Sequence, residues 1–295
     1  MSSETVNVYC SSRRAACEEH ALVLTAVGVP NEMVHEEGQY RLRVDARDEV
    51  EARHHLLRYQ EEKQALRRPA PPLPPRLHSG AWVGCLCYGA VLIGVAYAVG
   101  RGIFRLDAFD RGDLDAASVR QGQWWRVWTA LTLHLDAAHL AANLGAGAWF
   151  GYLAGRLLGA GVAWALIVNG AAAANLLEGW LAPAGYRAAG ASTAVFTALG
   201  LMAAYAWRER RRLPQPWMLR WSPLVAGVVL LGWLGTAGEH TDVFGHLAGF
   251  TVGVLLGTLA AVRGVRTVLE RTPQWFAGSL ALGAIALAWW WGLRR

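Results

Sequence analysis

Four residues in this 295-residue chain combine a type and a spacing that suit covalent chemistry. Ser192 stands in "GASTAVFTALG", Gly190 to Gly200, at the head of an apolar run. His246 stands in "DVFGHLAGFTVGVLLG", just inside another. His139 and Asn143, in "HLAAN", are four apart and share one face of a helix. A serine hydroxyl is a weak nucleophile that needs a base beside it, and neutral imidazole is the usual one. Taken singly, each residue has a plainer reading. A serine among small residues suits helix packing, and a lone histidine in an apolar run can simply bond a neighbouring carbonyl.

Depth separates the two readings. His139 lies 17 positions before Arg156, Ser192 16 before Arg208, and His246 17 before Arg263, the first arginine beyond each apolar run. At about 1.5 Å per residue all three sit about 24–26 Å above that basic face. In a hydrocarbon core about 30 Å thick this is one shared level, near the opposite surface. Polar groups inside spans are costly and mark function by default. Ser192 would attack a carbonyl while His246 takes its proton and returns it to the leaving amine. At a helix start, Ser192 also presents its own backbone N–H as an oxyanion donor, and His139 with Asn143 supplies side-chain donors. Gly249, Gly253 and Gly257 form a small-residue stripe below His246 that permits close approach of the Ser192 helix.

The composition supplies the setting for this chemistry. The chain is 54% hydrophobic and 17% charged, with 15 tryptophans. That is too apolar for an ordinary soluble domain, and the apolar residues come in blocks. The net charge of +6 reads as basic loops facing the cytoplasm rather than as nucleic-acid binding. No signal peptide is visible in the charged first fifty residues. Cys10, Cys17, Cys85 and Cys87 are read as reduced thiols. No cysteine spacing suits zinc, and the adjacent His54 and His55 point to different helix faces, so no metal site is expected.

The fold class that follows is an all-α polytopic membrane bundle with a small N-terminal α+β soluble domain. Residues 1–66 form that domain: "VNVYC" as a strand, a helix capped by Ser11 or Ser12 and ended at Gly28, a hairpin about Gly38, and a charged helix opened by Asp45. Residues 67–80 are a proline-rich polyproline II linker. Seven apolar segments follow near 81–99, 137–155, 161–178, 192–207, 222–237, 243–262 and 275–293. No repeat of 20–50 residues is present. The basic "RERRRLPQPWMLRW" and Arg263, Arg266 and Arg271 place those loops and the N-terminal domain in the cytoplasm, with the seventh helix ending outside. The loop at 100–136, with "WWRVW", is expected to lie along the outer interface.

Together "GAST", "HLAAN", "GHLAGFTVG" and the "WWR" of Trp124 to Arg126 resemble the rhomboid family of intramembrane serine proteases. The resemblance covers about 82–262, so 81–262 is the six-helix core and 263–295 adds a seventh, six-plus-one helix. It implies a Ser192–His246 dyad without a third acid and oxyanion help from His139 and Asn143. It also implies hydrolysis of peptide bonds in or near transmembrane helices of single-span or polytopic membrane-protein substrates. The resemblance implies no cofactor, neither metal nor nucleic acid is expected as a partner, and the expected setting is a lipid bilayer, a bacterial plasma membrane. The alternative is a catalytically inactive rhomboid-like protein that binds transmembrane clients. A transporter would show inverted repeats and ionisable groups through the midplane, and neither is visible.

Three neighbouring residues complete the reading. Phe196 stands where many rhomboids have a tyrosine beside the base; one turn below Ser192, its ring should lie against His246. Asp242, four before His246, is read as a helix N-cap that points to water rather than as a triad acid. His134 and His240, nearer the water, are expected to be dispensable for the chemistry.

Overall fold

A computed structural model describes residues 4–67, 77–104, 107–236 and 241–294. The chain divides into two units, 1–73 and 74–295, so the boundary falls inside the proline-rich stretch. The polyproline II expectation concerns mostly 68–76 and lies outside the described residues. In the first unit the strands β1 (Thr5–Ser11), β2 (Glu32–Glu36) and β3 (Gln39–Asp45) form an antiparallel sheet in the order β1-β3-β2. Helices α1 (Arg14–Ala26) and α2 (Glu49–Arg67) complete it. Glu37 and Gly38 turn the β2–β3 hairpin with φ of 52° and 75°, the left-handed pair a two-residue loop requires. Cys17, Leu24, Leu42, Val44, Ala52 and Leu56 form the core. The serine cap of α1 is corrected: Arg13 holds the N-cap position without a side-chain bond. Ser11 is still paired with Tyr40 in β1, so the helix begins too late for either serine to cap it.

The second unit follows the apolar segments closely. Helix α3 (Ala81–Gly100) leads to a loop holding α4 (Ala108–Gly112), β4 (Leu114–Asp115), α5 (Ala116–Arg120) and α6 (Arg126–Thr129). Then come α7 (Ala137–Leu158), α8 (Ala160–Leu181), β5 (Arg187–Ala188), α9 (Ser192–Arg210), α10 (Trp217–Gly235), α11 (Val243–Ala260), α12 (Arg263–Arg271) and α13 (Gln274–Gly292). Five of these helices, α3, α8, α10, α11 and α13, are long and apolar enough to cross a membrane.

Helix α9 occupies the centre: every residue from Thr193 to Leu201 is buried, and α7, α8, α10 and α11 all pack on it. Its contact with α11 is backbone against backbone. A side chain on Gly249 would meet the Thr193 carbonyl oxygen at 2.6 Å, and one on Gly253 or Gly257 would strike the carbonyl of Thr197 or Leu201. Gly200 answers from α9 against the Phe250 carbonyl. Without a hydrophobic force between helices in lipid, this close van der Waals fit is what holds such a pair.

Over its described residues 107–136 the loop expected at the interface is folded against the bundle. Trp125 is 6% exposed, donates its indole N–H to the Arg111 carbonyl (3.0 Å) and faces Gly292 of α13. Leu114, Val119, Val127 and Ala130 bury themselves with Ala172 of α8. Burial is affordable because Arg126, 5% exposed, is paired with Asp113 and donates to the Asp110 and Asp113 carbonyls.

Gly253→Ala forces a methyl onto the Thr197 backbone and is expected to cost about 1–3 kcal/mol, the scale of core overpacking. Gly264→Ala, which meets open space on α12, is expected to be neutral or stabilising by up to about 1 kcal/mol. Unfolding of both variants in detergent, beside wild type, checks the difference.

Candidate active site

His139 lies in the first turn of α7, Ser192 begins α9, and His246 lies in the first turn of α11. A stretch of turn makes the start of α9 sharp. Gly190 has φ 149°, outside the range of ordinary side chains, and its N–H donates to the Ala130 carbonyl (3.0 Å). A side chain at Gly190 would begin 2.9 Å from His139 Nε2 and 3.6 Å from the Ser192 oxygen, so glycine is required twice over. His139 and Ser192 therefore share one small space. Ser192 is half-buried, and its hydroxyl has no hydrogen-bond partner among the described residues. It lines a cleft with room for about one water, together with Gly190, Thr193, Asn175 and Asp242.

His246 is 6% exposed, and its Nδ1 bonds the Gly235 carbonyl at the end of α10 (2.9 Å). Only an N–H can make that bond to a carbonyl, so in the neutral ring Nδ1 carries the proton and Nε2 is left as the basic nitrogen. The Phe196 ring lies 4.4 Å from the imidazole, tilted by 38°. Asn143 is buried, and its side-chain amide donates to the His139 carbonyl one turn earlier (3.2 Å), while its main-chain carbonyl accepts from the Tyr88 hydroxyl (2.8 Å). Among the described residues no group of three or more metal-ligating side chains is present.

The tertiary contacts of several neighbours went unread in the sequence. His134 is half-buried, and its Nε2 accepts from the Ala191 N–H (3.3 Å) directly before Ser192. Its ring stands edge-on to His139 at 5.1 Å. Burial, with His139 beside it, holds its pKa down to about 4. His240 lies outside the described residues. Asp242 is the N-cap of α11, accepting from the Gly245 N–H (2.7 Å), but it points into protein rather than water. Tyr186 bonds both Asp242 and Glu178 of α8, the latter fully buried. Beyond them β4 pairs with β5, and Arg187 joins Arg126 on Asp113. Burial pushes the Asp113 carboxyl up against the pull of Arg187 and Arg126.

The known proteins most telling for this arrangement match its central helices. Residues 121–263, which hold all four candidate residues, match the family model of the Rhomboid domain. Those residues are similar to a rhomboid domain. It is 29% identical over 142 residues to Rhomboid protease GluP of Bacillus subtilis, covering 48% of this chain and 27% of that protein. It is 26% identical over 176 residues to Rhomboid-like protease 2 of Toxoplasma gondii, covering 58% of each. The chain thus spans well under the full length of both relatives. Within residues 121–263 the loop carrying Arg126, the turn before Ser192 and the start of α11 converge on one end of the bundle.

Two outcomes test this geometry. His134 must stay neutral in the fold while it titrates near the ordinary 6.5 when unfolded, so the unfolded chain binds the extra proton. Stability is expected to fall as pH drops from about 6.5 towards 4, and His134→Gln, which keeps an acceptor for Ala191, should flatten that fall. Separately, Phe196→Tyr should leave turnover near wild type, whereas Phe196→Ala should lower kcat more than it raises KM, because the ring restrains the imidazole. Wild-type turnover in a folded Phe196→Ala sample would remove that role.

Proposed function

We propose that this integral membrane protein is an intramembrane serine endopeptidase that uses Ser192 and His246 as a dyad to cut peptide bonds in or near the transmembrane helices of membrane-protein substrates. The observation that carries the reading is the His246 Nδ1 bond to Gly235, which leaves Nε2 free beside the helix that Ser192 begins. Similarity to the Rhomboid domain and to relatives named as proteases supports it. The basic ends of α9 and α12 are taken to face the cytoplasm, which puts the site near the outer surface of a bacterial plasma membrane.

In this mechanism Nε2 of His246 takes the Ser192 proton as the oxygen bonds to the scissile carbonyl carbon. The carbonyl oxygen, now an oxyanion, is held by the Ser192 N–H, which has no intrahelical acceptor at the first position of α9. His139 lies beside the same space, and Asn143 one turn below keeps one amide hydrogen beyond its bond to His139. Collapse breaks the C–N bond, and His246 passes its proton to the leaving amine. Water then attacks the acyl-enzyme, giving its proton to Nε2, and the serine leaves with it. No side chain acts as a third acid: Nδ1 is satisfied by a main-chain carbonyl, which fixes the tautomer as a carboxylate otherwise would. The hydroxyl and imidazole are not yet hydrogen-bonded, as is common before a substrate expels water from the site.

Purified protein incubated with single-span substrates tests this directly. Ser192→Ala and His246→Ala are expected to lose at least about 10⁴-fold in turnover while remaining folded. A fluorophosphonate probe should label wild type at Ser192. Folded wild-type protein that neither cuts any substrate of the panel nor takes the probe would point to the client-binding alternative.

A further inference from the structure

The Glu178–Tyr186–Asp242 cluster is not used by the dyad, yet it touches the start of the helix that bears His246. Its hydrogen atoms do not add up if both carboxyls are charged. The Tyr186 oxygen bonds Glu178 Oε1 (2.5 Å) and Asp242 Oδ1, but a phenol has one proton to donate. Burial and the two carboxylates push the Tyr186 hydroxyl well up, so that proton stays. On the other side, Glu178 Oε2 is buried without a partner, and it and an Asp242 oxygen both lie within 2.9 Å of where a Gly245 side chain would begin. Two carboxylates meeting this way need one further proton between them. Asp242 already accepts from the Gly245 N–H as the cap of α11, so it is the better acceptor. Glu178, with no exposed surface and no bonded cation, is the better acid.

We propose that Glu178 is a positioning residue: it sits in the bundle as a neutral acid, and the proton it shares with Asp242 holds the start of α11, and so His246, against α8. The proposal rests on the reading of Ser192 and His246 as the dyad. Among the described residues no other group nearby can take over the neutralisation. Arg120 of α5 spends its guanidinium on the carbonyls of Gly179, Trp180 and Ala182 at the end of α8. Arg187 is tied to Asp110 and Asp113. On α11 itself His246 is turned to Gly235, and α9 offers only Ser192 and Thr193 at this level. When the shared proton is lost, two unpaired carboxylates face each other and drive α8 and α11 apart at the end that holds the site. The consequence is an alkaline decline in activity that a histidine base does not produce, since the imidazole only gains basic form as pH rises.

The test uses the full chain in detergent and a single-span substrate, with kcat, KM and thermal stability followed across pH. Wild type should lose kcat and stability together on the alkaline side. Glu178→Gln, whose amide donates to Asp242 at every pH, should keep neutral-pH kcat within about twofold and show no alkaline decline in either readout. Glu178→Ala, which leaves Asp242 without that donor, should lose about 10- to 100-fold in kcat at neutral pH with KM little changed, the scale of a displaced base. Asp242→Asn keeps the cap, removes one of the facing charges and should flatten the decline as well. An alkaline decline in Glu178→Gln equal to that of wild type overturns the shared proton. Neutral-pH kcat in that variant as low as in Glu178→Ala overturns the neutral acid. If Ser192→Ala still cuts, the dyad reading has failed instead, and the stability curves of the same variants then decide the shared proton alone.

Discussion

Everything at the site depends on how closely α9 and α11 approach. Gly249, Gly253 and Gly257 let the α9 backbone rest directly on α11, and Gly200 does the reverse. In lipid a helix satisfies its own backbone bonds, so nothing but surface fit draws two helices together. The repeat of four residues matters as much as the residue type. It keeps the three glycines of α11 on one stripe, and His246, three positions above Gly249, continues that stripe at its upper end. Phe196 does the same on α9, four positions below Ser192. The seam that holds the pair thus ends where the serine and imidazole are needed.

The two reactive groups are held by different means. The serine is fixed from the far side by folded loop: Gly190 bonds Ala130, Ala191 bonds His134, and β5 pairs with β4 beside the Arg126–Asp113–Arg187 cluster. Buried and mutually bonded, these groups leave the turn little freedom. The imidazole owes its orientation to Gly235, at the end of α10. Among the residues of α10 only Gly227 and Gly235 are buried, so the carbonyl that sets the tautomer of the base belongs to a helix that keeps most of its surface outside the bundle. Nucleophile and base therefore have unequal support, and the weaker support falls on the base.

Much of this was legible in the residues. The apolar segments, the glycine stripe and the placement of His139, Ser192 and His246 in first helical turns follow from periodicity and from distance to the arginines. The missed features all involve partners distant in sequence. Nothing near His134 announces that it accepts from Ala191, 57 positions on. Asp242 was legible as a cap because capping is local, whereas its contact with Tyr186, 56 positions away, is tertiary. The loop holding Arg126 was read as lying along the interface, and the burial of that arginine rests on pairing with Asp113 and on main-chain carbonyls far from it in sequence. The serine cap of α1 failed for a related reason, since β1 claims Ser11 through a partner on β3.

The same logic explains which helices are plainly apolar. Helices α7 and α9, which carry His139, Asn143 and Ser192, are the two long helices read as spans that fall outside the clearly membrane-crossing set. Hydropathy measures fitness to face lipid, and α9 faces little of it: its buried residues meet α7, α8, α10 and α11 instead. A helix surrounded by other helices is free to carry serine, threonine and a polar end without exposing them to hydrocarbon. Thr193 and Thr197 show the accommodation, with the Thr197 hydroxyl donating to the Thr193 carbonyl inside the bundle. Chemistry within a membrane needs polar groups and a little water. The helix that begins with Ser192 can hold them because it is the one most shielded by its neighbours, and its lower apolarity is the sequence's record of that shielding.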